Sequence, residues 1–381
     1  MNIKKTNWVS NFNLIGRAKI GDNTFKIDEV SESGWDYNSL NLGVDCGEKC
    51  GVVYANMMGG FSQKNPNKIY VHGKKEDGKD DWENSFSIDW DDRFNDELLD
   101  TIGDSCFIIV GLEYTDSDKI FRQKFLSAYD AINYVKEHLE NDDIINVRGN
   151  LKYNFYNQNV NMQREIQSIY LSKVEPKDFR ATFRQSVLLD KESLSPKEDV
   201  DVEQGRARVH TRVLDYVKEL NGVEIRGNYP MNFDFDFDFD DKEKFSAFYK
   251  AIFKVSKDIT QVNFEGEFIN SGAVVQATAE DINDDLKELI AIGLYTEEEV
   301  LNKYASHNNE RRNVLVKPIL RKEGDGETAT VVTQIFKERY TEKDLDVSEV
   351  TANSVSTDDL SELTNSDEDE DDIFDELFKD A

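Results

Sequence analysis

The chain has 381 residues, of which 77 are Asp or Glu and 46 are Lys or Arg, for a formal net charge of −31. That excess excludes a generically basic nucleic-acid binder, because any grip on phosphate has to come from cations gathered on one face. Hydrophobic residues make up 38% and aromatics 11%, and only 5 residues are Pro, a mix that suits cores built mainly from strands.

Three cysteines, Cys46, Cys50 and Cys106, are too few and too odd in number for a disulfide scaffold, and they suit a reducing cytoplasm. Cys46 and Cys50 lack a second metal-ligand pair, so no metal or cofactor is expected. The start MNIKKTNWVSNF has no apolar signal region, and no apolar run is long enough to span a membrane. The phosphate-cradling, zinc-protease, nucleophile-elbow and dinucleotide motifs are all missing, so a binding protein is expected rather than an enzyme.

In chain order, the runs Asn11 to Ile20, Thr24 to Val30, Ser39 to Val44 and Val52 to Met58 predict strands separated by Gly, Asn and Asp. Residues 61–84 predict a polar loop in which Lys64, Lys68, Lys74, Lys75 and Lys79 are interleaved with Phe61, Tyr70 and Trp82. Ammonium on phosphate and ring on base is how single strands are gripped, although a solvated hairpin tip has the same composition. More strand follows over 85–114. Residues 125–139 then place Phe125, Tyr129, Ile132, Val135 and Leu139 on one helical stripe. Strands over 143–155 and 164–174 come next, the first carrying Gly149 at its middle, where a highly curved barrel strand needs one.

Residues 176–320 repeat this plan. Two strand runs, 179–189 and 207–217, lead to a third that holds FDFDFDF; the second also has helical spacing at Val209, Val213, Tyr216 and Val217. A helix and a strand with a central Gly266 follow. Tyr129, Ala131, Ile132 and Val135 align with Tyr249, Ala251, Ile252 and Val255, which suggests an internal duplication at about 120 residues. Between Phe233 and Phe239, alternation puts Asp234, Asp236 and Asp238 on one face, roughly 7 Å apart. That is too far for one chelated ion, and the repulsion calls for cations nearby. A helical insertion over 281–305 follows; its second helix begins with three acids and would repel phosphate. Residues 311–322 form a basic run beside an apolar one.

The C-terminal segment is strongly acidic. Residues 338–372 predict an acidic flexible linker, within which a last amphipathic piece runs to about Leu345. Residues 373–381 form a tip where Ile373, Phe374, Leu377 and Phe378 sit at i, i+1, i+4 and i+5, one side of a helix if a partner supplies a groove. A docking peptide is favoured over a solubilising tail.

Strands, a helix, a Gly-containing strand and a closing strand resemble the oligonucleotide/oligosaccharide-binding (OB) barrel, with its helix between the third and fourth of five strands. The resemblance implies a mainly β chain with two tandem OB-like barrels, over 1–175 and 176–337, and a disordered acidic tail. An acidic linker ending in acid plus Phe resembles the tails of bacterial and phage single-stranded-DNA-binding proteins. In that family the tip recruits replication and recombination enzymes and competes with DNA for the basic groove. This chain departs in its ending, DIFDELFKDA, and in having two barrels, which is more like a phage-encoded version.

The resulting expectation is a non-enzymatic, cytoplasmic single-stranded-DNA-binding protein of DNA replication or repair. The expected stacking residues are Trp35, Tyr37, Tyr54, Tyr70, Trp82, Tyr153, Phe155 and Tyr156. The expected phosphate contacts are Lys64, Lys68, Lys74, Lys75, Arg148, Lys152 and Arg164, with Arg206, Arg208 and Arg212 in the second half. The alternatives are a β-rich protein-interaction or virion structural protein, and an acidic DNA mimic. Convergence of the 64–79 lysines with Arg148, Lys152 and Arg164 on one face would separate binding from the structural alternative.

Overall fold

Alternation of apolar and polar residues is the dominant local signal, and most of the chain folds as strands. A computed structural model describes residues 3–64, 67–156, 159–220, 222–255, 259–270, 282–291, 294–296, 300, 311–324 and 329–346. The acidic tip, with Ile373, Phe374, Leu377 and Phe378, lies outside the described residues.

The first half holds β1 (Ser10–Lys19), β2 (Phe25–Val30), β3 (Trp35–Asp45) and β4 (Val52–Ser62). An insertion follows, made of the hairpin β5 (Lys68–Lys74) and β6 (Asp80–Asp89), a short α1 (Asp96–Leu99), and the hairpin β7 (Ile108–Tyr114) and β8 (Ile120–Phe125). Then come α2 (Ala128–His138), β9 (Ile144–Tyr156) and β10 (Asn159–Leu171). The pairing β1–β3–β4–β10–β9–β1 closes a five-stranded barrel, antiparallel everywhere except β4–β10. Leu40, Leu42 and Val44 of β3 and Val53, Ala55 and Met57 of β4 alternate into its core. Ser127 caps α2 by accepting the Tyr129 N–H, and the helix buries Ala131, Ile132 and Val135. Its first turn rests on Gly59, where a side chain would meet Ala128 Cβ at 2.8 Å.

The second half repeats the order with β11 (Arg180–Leu189), a short β12 (Val200–Asp201), β13 (Arg206–Leu220), β14 (Val223–Asp238), α3 (Lys242–Phe248), β15 (Ile259–Ile269), α4 (Asp284–Ala291) and β16 (Arg312–Pro318). The pairing β11–β13–β14–β16–β15–β11 closes a second ring, again parallel only between the third and fifth members, β14 and β16. The hairpin β17 (Leu320–Glu323) and β18 (Thr330–Thr333) and the strand β19 (Ile335–Tyr340) follow, β19 pairing with β15. Both rings have OB topology.

The rings join through their equivalent first strands. β1 and β11 pair antiparallel with Phe12 opposite Phe183. Phe12 also lies opposite Gly149, and Phe183 opposite Gly266. The two central glycines therefore take the same place in the two barrels. A side chain at Gly149 would strike the Glu165 carbonyl oxygen at 1.9 Å, and one at Gly266 the Phe183 ring at 2.1 Å. One hydrophobic core runs continuously through both barrels.

Several expectations are corrected. The polar loop over 61–84 contains most of the hairpin β5–β6, which has its own core of Val71, Ile88, Ile102 and Phe107. The run 207–217 is strand as expected, not helix as its second spacing allowed, because its alternate residues Ala207, Val209, Thr211 and Val213 face the second barrel's interior. The strand expected from 164 starts at Asn159. The segment expected to be flexible from 338 is ordered in its first part: Tyr340 and Leu345 are buried with Ile3, Leu188, Leu214 and Ile259, and Thr341 and Asp344 form a capping box. The same cluster packs the N-terminal residues Ile3 and Trp8 against the second barrel.

Candidate nucleic-acid interface

From Trp35 to Asn41 the outward positions of β3 are Trp35, Tyr37, Ser39 and Asn41, and from Tyr54 to Gly60 those of β4 are Tyr54, Asn56, Met58 and Gly60. None carries a charge. Register makes the two main rings reciprocal: Tyr37 lies opposite Gly60, and Tyr54 lies opposite Gly43. At Gly43 a side chain would meet the Tyr54 ring at 3.2 Å, and at Gly60 one would meet Tyr37 Cβ at 2.8 Å. Gly43 thus leaves room for the ring across the ladder, whereas Gly60 admits the β3 backbone, where a side chain would strike the Asp36 carbonyl oxygen at 2.0 Å. Trp35 stacks on Tyr37, with centroids 5.2 Å apart and planes 12° from parallel. Tyr54 is 49% exposed and Met58 60%. Six residues of strand put Tyr54 about 20 Å from Gly60 and the Tyr37 ring. At the far end Asp45 and Glu165 border the face, near Lys19 (3.9 Å) and Gln167 (3.3 Å) respectively.

Beyond Tyr54 this face opens into a cleft of about 250 Å³ lined by both barrels, including Tyr54, Asn161 and Arg164 from the first and Phe268, Arg311 and Arg312 from the second. No carboxylate lines it among the described residues. Arg164 lies over the Phe268 ring at 4.1 Å, and its Nε is buried without a hydrogen-bond partner. Burial, opposed by Tyr153 and reinforced by the charge of Arg311, lowers its pKa to about 10, so it stays a cation at neutral pH. A second cleft, of about 540 Å³, contains Asn13, Arg148, Asn150, Gln167, Thr182 and Arg184.

The corresponding face of the second barrel is built oppositely. Its outward positions pair Arg206 with Asp238, Arg208 with Asp236, His210 with Asp234 and Arg212 with Asn232. Arg312 adds a two-pronged pair to Asp238 at 2.5 and 3.1 Å. His210 bridges Asp234 at 2.9 Å and Asp199 at 3.0 Å. Burial alone would lower the His210 pKa, but the two aspartates outweigh it and raise it. The acids of FDFDFDF therefore meet the cations that their spacing called for, while Phe235 and Phe237 are buried.

This arrangement places the sequence-predicted residues unevenly. Trp35, Tyr37 and Tyr54 share the first barrel's neutral face. Tyr153 is 3% exposed and packs edge-on to Phe233, and Phe155 is half-buried against Tyr229, so neither offers a free ring face. On the other side of the same hairpin, Lys152 and Tyr156 are exposed. Tyr70 and Trp82 are exposed on the insertion, where His72 already covers one face of Trp82 at 4.0 Å. Lys68 pairs with Asp89 and Lys74 with Asp104, and the Lys64 ammonium donates to the Ser33 carbonyl. Lys75 is exposed in the hairpin turn. Arg212 is held by Asp190 and Glu342, and Arg206 and Arg208 face aspartates across the ladder. Arg148 and Arg164 line different clefts, so the cations expected to converge are divided among three places.

Met58 and Arg311 were missed. Arg311 begins the basic run at 311–322, which was the available signal. For Met58 the signal was its position two residues from Gly60 and four from Tyr54 on one alternating strand. Cys46 and Cys50 are buried free thiols, and burial raises both pKa values.

No family model and no curated protein matches the chain. Among solved structures, it is similar to the wild-type single-stranded DNA binding protein from Thermus aquaticus, at 12% identity and a TM-score of 0.29 over 70% of this chain and 87% of that one. A deletion-and-substitution variant of the same protein gives 12% identity and a TM-score of 0.30 over 69% and 87%. Likeness this loose carries no residue and no activity across; the OB topology rests on the strand pairings themselves.

Proposed function

We propose that this chain binds single-stranded DNA without catalysis, laying bases on the β3–β4 face of its first barrel. The observation that carries this reading is an uncharged, partly exposed aromatic face in a chain of net charge −31, opening onto a cleft that holds arginines and no described carboxylate. Rings stack on any base, so the binding would be tolerant of sequence and would weaken as salt displaces the phosphate contacts. Titration of a fluorescent oligonucleotide at low salt tests it; no binding, even by a chain ending at Asp346, would remove the reading.

The finer parts of the proposal are a role in phage DNA replication, domain limits at 1–175 and 176–337, and recruitment of replication or recombination proteins by the acidic tip. The tip's composition supports recruitment, and deleting residues 347–381 should abolish a partner contact. A second reading, protein contact through the insertion, is favoured by the failure of the predicted cations to converge and by the exposure of Tyr70, Trp82 and Phe94 there. It predicts that Trp82→Ala leaves oligonucleotide affinity unchanged.

A further inference from the structure

We propose that the cleft between the barrels is an oxyanion site, in which Arg164 and Arg311 together take one phosphodiester of a strand lying on the β3–β4 face. This rests on the functional reading above and deepens it, because it carries the strand from the first barrel onto the second.

A guanidinium with its Nε buried is stable only when its charge is answered. Arg164 leaves β10 opposite Leu151 and turns inward with Met162, away from the exposed Gln163. The Phe268 ring, 4.1 Å away, gives it a cation–π contact but no hydrogen-bond acceptor. Its Nε is buried and donates to nothing, in a chain where most buried polar atoms are paired. Arg311, exposed at the cleft, adds a second positive charge, which makes the site less comfortable empty. Arg312, the third arginine there, is already held by Asp238. The side-chain amides of Asn161 and Asn313 also line the cleft. Two arginine forks and neutral amides without a carboxylate match the donor demand of a phosphate. Tyr54 lies on both the platform and the cleft, so a base stacked on it brings its own phosphate to the arginines.

The test compares full-length wild type with Arg164→Gln, Arg311→Gln, Arg311→Lys and Tyr54→Ala, using an oligothymidylate, an abasic strand of equal length and inorganic phosphate. Each Gln variant is expected to weaken both strands about threefold to tenfold, and to flatten the slope of log affinity against log salt by about 0.7. Arg311→Lys should keep the slope, and Tyr54→Ala should weaken the oligothymidylate but leave the abasic strand unchanged. Thermal melts check that Arg164→Gln folds; Arg311 is exposed, so its variant decides the matter if Arg164→Gln does not. Wild-type affinity and slope in folded Gln variants would overturn the site while leaving the platform reading intact. If wild type binds no strand, the functional reading fails. Phosphate-induced shifts of the Arg164 resonances, lost in Arg311→Gln, would then support the anion site alone, and no such shifts would overturn both.

Discussion

The two barrels share ring order, helix position and a Phe-over-Gly contact, yet they present opposite second-and-third-strand faces. In the first barrel those strands show Trp35, Tyr37, Tyr54 and Met58 with no charge between them. In the second they show Arg206, Arg208 and His210 against an aspartate ladder, with Arg212 opposite Asn232. The topology dictates where a groove can lie, and the outward half of the alternation decides what it does. The inward half is apolar in both barrels, because both must bury a core; the outward half is free of that demand and differs between them. A face of paired charges is saturated within the ladder and solvated outside it. A neutral aromatic face has no charge to saturate, and Tyr54 and the Trp35–Tyr37 stack keep ring surface open to bases.

The comparison can be broken at its most symmetric point. Gly149→Ala is expected to cost about 3 kcal/mol in denaturant unfolding, because the added carbon meets backbone at 1.9 Å. Gly266→Ala should cost about 1–2 kcal/mol, because it meets a ring that can shift. Equal losses would mean that the two barrels are held by the same constraint. Tyr37→Ala should lose about 1–3 kcal/mol of oligonucleotide affinity with little change in stability, whereas Arg208→Ala should leave affinity near wild type. If Arg208→Ala weakens binding as much as Tyr37→Ala, the saturated-face argument fails.

Smaller effects sharpen the same contrast. Asp236→Asn, which removes the aspartate opposite Arg208 in the ladder, should cost about 0.2–1 kcal/mol of stability and make strand binding steeper in salt. His210 gives a pH signature confined to the second barrel. Its folded pKa is raised, so its bridge contributes fully below the unfolded value of about 6.5 and is lost as pH rises through the folded value. The stability gap between wild type and His210→Gln should therefore shrink as pH is raised from 6 toward 9. A gap that does not change with pH would mean that the aspartates do not hold the imidazolium.

Much of this was legible in the residues. Period-two alternation, the stripe of α2 and the placement of Gly149 and Gly266 announced two barrels, because each is a local consequence of burying one face. The aspartate run announced its own cations, because unpaired acids at that spacing repel. The functional face was less legible. Tyr153 and Tyr54 sit on similar alternating strands, but Tyr153 packs against the second barrel, and no local pattern records that contact. The lysines of the insertion looked like phosphate contacts because their partners, Asp89 and Asp104, are distant in sequence for at least one of them: Lys74 is joined to Asp104 only by the fold of the insertion.

By itself, then, the sequence determined the strands, the barrels, their repeated order and the scarcity of free positive charge, all of which follow from nearest-neighbour patterning and composition. Only the tertiary structure decided which rings stay exposed, which arginines are already paired, and that Arg164 and Arg311 meet in one cleft. Arg164 belongs to the first barrel and Arg311 to the second, and they become neighbours because β1 pairs with β11. That contact lies far apart in sequence, and it sets which cations have an acid within reach and which do not.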